Sequence, residues 1–135
     1  MLSGAVAGLA LAASGSPVVA GAAFAAGVVI DGDHAIDYTL YWIIHRRRLP
    51  FRELTSGELF VTWQRAGLLL HSYELLVPLW VIAWLTGAFA LATWISISFV
   101  AHLVADQMVY PVKPLIYLFG FRAWRRFRFT EMVRQ

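Results

Sequence analysis

The chain has 135 residues, of which 60% are hydrophobic and 14% charged, with a formal net charge of +3 and a mean hydropathy of +0.67. Soluble domains carry about 25% charged residues, so this composition predicts a single integral membrane domain over residues 1–135 and excludes an array of soluble domains. The chain has no cysteine, which rules out disulfides, thiolate-bound metals, iron–sulfur clusters and a cysteine nucleophile.

The first 30 residues carry no charged side chain. The Gly/Ala-rich stretch 4–30 is long enough to cross a core of about 30 Å, but Ser14-Gly15-Ser16-Pro17 interrupts it. It reads either as one kinked helix or as a half-length piece followed by a helix from Val18 to His45. A secretory signal needs a basic stretch at its start, and none is present, so the segment is expected to remain in the mature protein. Gly4 with Gly8, Gly21 with Ala25 and Ala22 with Ala26 form small-residue pairs four apart, the pattern of close helix packing within a chain or in a homo-oligomer.

Residues 35–58 form a basic interfacial segment containing Arg46, Arg47, Arg48 and Arg52. Two further apolar stretches, 68–85 and 88–110, complete an expected all-α bundle of about three transmembrane helices. Residues 112–135 follow as a second basic interfacial segment, in which Leu115 to Val133 alternates Phe, Trp and Tyr with Arg and predicts an amphipathic helix in the interface. The two arginine groups place both basic segments, and the C-terminus, on the cytoplasmic side. They point to anionic lipid head groups as a partner, and no nucleic acid is expected.

Every aspartate and three of the four histidines fall in three clusters: Asp31-Gly32-Asp33-His34-Ala35-Ile36-Asp37, His71-Ser72-Tyr73-Glu74 and His102 to Asp106. A charge in hydrocarbon costs about 2.5–3.5 kcal/mol on insertion scales, so such groups are held by pairing, protons or metal. With three spans the clusters meet near one membrane face. Asp33 and Asp37, His71 and Glu74, and His102 and Asp106 each share a helical face through spacings of three or four, while Asp31 joins only if the helix breaks at Gly32. His45 belongs to the basic run and reads as surface.

Carboxylates and imidazoles without sulfur suit zinc, manganese or iron. Asp31, Asp33, His34, Asp37, His71, His102 and Asp106 are therefore candidate ligands for one or two divalent ions. Glu74 is a candidate general base, and Arg65 could neutralise a substrate phosphate. The expected activity is metal-dependent hydrolysis of a phosphoester, such as a lipid or lipid-linked head group. The alternatives are a non-enzymatic protein that binds or conducts protons or divalent cations, and a structural subunit whose polar pairs fix helix register.

Asp31-Gly32-Asp33-His34 after a Gly/Ala-rich segment, Arg65 shortly before His71-Ser72, and the later His102 and Asp106 resemble the pattern of small bacterial inner-membrane proteins, the LexA-binding, inner-membrane-associated hydrolase-like family. The resemblance implies an inner-membrane location and a metal-dependent hydrolysis. The N-terminal histidine frequent in that family, and its arginine closer to the His-Ser pair, have no counterpart in this sequence.

Overall fold

The computed structural model describes residues 2–47, 58–110 and 112–133. Arg48 and Arg52, two members of the first basic group, lie outside the described residues. Among the described residues the chain is helical, and the only extended pairing is two isolated antiparallel bridges, Arg65 with Arg128 and Val112 with Val133. Two stretches are long and apolar enough to cross a membrane: Pro17–His45, 29 residues with a turn at Ile30 and Asp31, and Phe89–Val109, 21 residues.

The chain divides into two compact units, 1–30 with 73–110 and 31–72 with 111–135. In the first unit α1 (Leu2–Ser14) and α2 (Pro17–Val29) are separate helices of 13 residues each. The Ser-Gly-Ser-Pro sequence explains the break residue by residue. Gly15 closes α1 with a left-handed φ of 64°, its N–H donating to Leu11 O at 2.8 Å. Ser16 then caps α2, its Oγ accepting from Val19 N at 3.4 Å, and Pro17 opens the next helix without wasting a donor. The two helices fold back on each other around Val6, Ala10, Ala20 and Ala23. Of the two readings of 4–30, the kinked single helix is therefore not formed, and a short helix followed by an apolar helical stretch from Pro17 to His45 is.

The close approach in this unit is not where the small-residue pairs predict it. A Cβ on Gly4, Gly8 or Gly21 would meet nothing within 4 Å, whereas one on Gly27 would collide with the Ser3 hydroxyl and lie 2.8 Å from Ser98 Oγ. Gly27 is therefore the point where α1, α2 and the long helix Phe89–Val109 cross. The unit is completed by a 3-10 turn (Tyr73–Leu75), α5 (Leu76–Thr86) and α6 (Phe89–Val109). α6 matches the expected 88–110 stretch. The 68–85 stretch does not form one helix, because residues 66–72 belong to a loop in the second unit.

The second unit contains α3 (Gly32–His45), α4 (Glu58–Trp63), the loop 66–72, a 3-10 turn (Pro114–Tyr117), α7 (Phe119–Trp124) and a last 3-10 turn (Phe129–Glu131). The long amphipathic helix expected at the C-terminus is broken into these pieces. Arg126 and Phe127 both take left-handed φ values, 53° and 57°, and this reversal lets Phe129 N reach Gln64 O at 3.0 Å and Lys113 N reach Met132 O at 2.8 Å.

Candidate metal centre

α3 buries Asp33, Asp37 and Tyr41, three residues at a spacing of four, on one face. The two carboxylates face the loop 66–72 and take up its backbone donors. Asp37 Oδ2 accepts from Gly67 N at 3.0 Å and Leu68 N at 3.1 Å, and Asp33 Oδ2 accepts from Leu70 N at 2.9 Å and His71 N at 3.2 Å. Gly67 is required for this fit: a Cβ there would overlap Asp37, its carboxyl carbon lying 3.2 Å away.

The loop carbonyls are taken up from the other side by Arg122. Its guanidinium, fully buried, donates to His71 O at 3.0 Å and Leu68 O at 2.8 Å and forms very short bonds to Ile116 O and Ser72 Oγ. A non-helical backbone segment that is buried must satisfy its donors and acceptors individually. Two carboxylates and one planar guanidinium do so here.

His71 is thereby fixed at 2% exposure. Its Nδ1 lies 3.0 Å from Asp33 Oδ2, and because that oxygen already accepts two backbone N–H groups, Nδ1 is assigned as the donor. The other ring nitrogen, Nε2, is then an acceptor, and it lies 3.9 Å from Asp31 Oδ1. His34 Nε2 lies 4.0 Å from the same oxygen. One ligand atom from each of Asp31, His34 and His71 falls within 4.8 Å of the others.

Two ligand atoms on one tetrahedral zinc at about 2.1 Å stand about 3.4 Å apart, so the two distances to Asp31 would have to close by about half an ångström around a common ion. The adjustable members are Asp31, 56% exposed, and His34, 27% exposed, while His71 is rigid. A carboxylate on the far ring nitrogen is the usual support of a metal-bound imidazole. The donor set fits a divalent metal with a position left open.

The seven expected ligands therefore separate into different roles. Asp31, His34 and His71 converge. Asp33 orients His71, and Asp37 bonds the loop backbone without entering that group. His102 and Asp106 pair along α6, Nε2 to Oδ2 at 3.4 Å, within the first unit. Glu74 is exposed in the 3-10 turn of that unit. Arg65 is exposed and pairs through its backbone with Arg128, so it is not the arginine that contacts the His71-Ser72 segment. That residue is Arg122, which lies in the basic C-terminal segment of the sequence. Its signal was isolation: it is the one charged residue between Lys113 and Arg125. His45 is exposed, as expected, with Nδ1 3.1 Å from Tyr41 O.

No family model, curated protein or solved structure matches this chain.

Proposed function

We propose that the chain is a membrane-embedded, metal-dependent hydrolase of a phosphoester, with Asp31, His34 and His71 holding one divalent ion. The observation that carries the reading is that two acceptors, His71 Nε2 and Asp31 Oδ1, face each other at 3.9 Å beside His34. A cation between them removes their repulsion. A divalent ion at such a position supplies Lewis acidity toward a phosphoryl oxygen and toward water. Of the chain's own groups, Asp33 sets the His71 tautomer, Arg122 holds the loop that carries it, and the exposed Asp31 edge leaves the centre open to substrate.

Membrane insertion is supported by how little of the two long apolar helices the chain itself covers: 22% of each window is buried. Val18 is 72%, Val77 66%, Trp84 73% and Leu85 70% exposed, and helices apolar on all sides belong in lipid or in the core of a larger protein. We place a third crossing at the shorter helix Tyr73–Thr86 and both arginine groups on the cytoplasmic side, which suits a lipid or lipid-linked head group as substrate. This reading accords with the inner-membrane hydrolase-like pattern of the sequence.

A proton on His71 would also satisfy the two facing acceptors, which favours as second reading a non-enzymatic protein that binds protons or cations. Metal analysis of protein purified in mild detergent decides between them. The hydrolase reading expects close to one equivalent of transition metal, lost in His71→Ala and Asp31→Ala. It also expects metal-dependent cleavage of a phosphoester panel. A metal-free wild type that cannot be loaded with zinc, manganese or iron would remove the hydrolase reading.

A further inference from the structure

We propose a second binding site, apart from the metal group: the turn after α7 forms a receptor for a phosphate group. Trp124, Arg125, Arg126, Arg128 and Glu131 line a cavity of about 180 Å³. Small-molecule pockets run to about 300–1,000 Å³, so this one admits a head group, not a whole cofactor. Three guanidinium groups against one carboxylate leave the lining two charges positive. An anion is the ligand that balances it.

The arginines are poised and not simply scattered. Arg125 stacks its guanidinium over the Trp124 ring at 4.5 Å and lies 5.7 Å from the Phe121 ring centroid, a placement that fixes the plane of the fork and leaves its N–H edges for a ligand. Its Nε is buried without a hydrogen-bond partner, and its contact with Glu131 Oε2 is long, 3.4 Å. Arg126 and Arg128 are exposed, and neither has a carboxylate partner among the described residues. The left-handed backbone of Arg126 and Phe127 forms the turn from which these side chains project.

The backbone donors of the turn are already committed: Arg126 N to Ala123 O, Phe127 N to Arg122 O and Arg128 N to Arg125 O. Recognition must therefore come from side chains, and planar forks match the oxygen geometry of phosphate bidentately. Trp124 is 72% exposed beside them. An aromatic ring next to a cationic cluster is the composition of a membrane interface, although a soluble phosphate ester offers the same chemistry to the arginines.

The test uses the full chain in phosphatidylcholine nanodiscs, with binding followed by titration calorimetry and by fluorescence of the tryptophans. One arm adds inorganic phosphate or glycerol 3-phosphate. The other raises the content of phosphatidic acid in the disc. Saturable 1:1 binding in either arm is expected, and the arm in which it occurs identifies the source of the phosphate. Arg126→Gln with Arg128→Gln should weaken it at least about tenfold, because charge-assisted bonds to phosphate are lost. Lysines at both positions should recover only part of it, lacking the fork. Arg46→Gln with Arg47→Gln removes the same charge from another exposed place and should leave the affinity nearly unchanged. Equal losses in the two double variants would reduce the effect to diffuse attraction, and no saturable binding in either arm would remove the site. Arg126 and Arg128 are not among the residues of the metal group, so metal content should be unchanged in these variants and the two proposals are read separately.

Discussion

Asp33→Asn changes one acceptor into a donor and leaves the shape nearly unchanged. In the wild type Asp33 receives Leu70 N and His71 N on Oδ2 and His71 Nδ1 at 3.0 Å. His71 Nδ1 lies almost equally near both oxygens, 3.0 Å from Oδ2 and 3.1 Å from Oδ1, so an asparagine oxygen in the Oδ2 place can keep the two backbone bonds while the amide nitrogen in the Oδ1 place stands against Nδ1 as a donor. The imidazole responds by moving its proton to Nε2, the atom 3.9 Å from Asp31, so a hydrogen stands where the ion should be. Loss of such outer support costs about 10–100-fold in metal affinity, or about 1.4–2.7 kcal/mol. Competition against a chelator of known zinc affinity, with circular dichroism as the check on folding, measures it. Asp37→Asn is the control, because Asp37 accepts only backbone N–H groups from Gly67 and Leu68, and its metal affinity should stay near wild type. A folded Asp33→Asn protein with unchanged affinity, or an equal loss in both variants, would refute the tautomer argument.

Three further outcomes follow from the packing and the charge pattern. Gly67→Ala forces a Cβ into Asp37 and should cost about 1–3 kcal/mol in reversible unfolding, whereas Gly21→Ala meets open space and should gain up to about 1 kcal/mol from helix propensity. Arg122→Met removes the donors to Leu68, His71 and Ile116 carbonyls and should destabilise by more than about 3 kcal/mol, since each unmade buried bond costs about 1–3; Arg122→Lys should not rescue it, and full rescue by lysine would show that charge alone suffices. Because the chain has no cysteine, Arg47→Cys and Arg125→Cys each create a unique label, and both should resist an impermeant reagent applied to intact cells.

The helical class was legible because the apolar stretches are long enough to cross about 30 Å of hydrocarbon as helices, and α6 matches its predicted bounds within a residue or two. The break at Ser14 to Pro17 was visible as an interruption, but whether it kinks or reverses the chain depends on the left-handed Gly15 and on packing against α2, which spacing does not encode. The loop 66–72 departs from the expected helix for a related reason. Its residues are apolar apart from His71 and Ser72, so composition assigns them to a helix, while their backbone is claimed by carboxylates 30 to 38 residues away in sequence. Clustering found the residues of the candidate centre. It could not divide ligand from supporter, because Asp31, Asp33 and Asp37 are chemically identical until the direction of each side chain is known.

The same difference of burial separates a metal from an ion pair. If Asp31 serves as counter-charge to a protonated His71, the chain without metal should depend on it, and Asp31→Ala should lower the melting temperature. If Asp31 is a ligand, it contributes little until an ion arrives, because it is 56% exposed and an exposed pair is worth about 0–1 kcal/mol. Zinc at 100 times its dissociation constant should then stabilise the wild type by about 2.7 kcal/mol, and Asp31→Ala should lose that gain while melting like the metal-free wild type. Thermal unfolding of the wild type and of Asp31→Ala, each with zinc and with chelator, gives the four values required. A variant that melts early without metal yet keeps its full zinc-dependent shift would make Asp31 a counter-ion and show that the zinc is held by ligands other than Asp31.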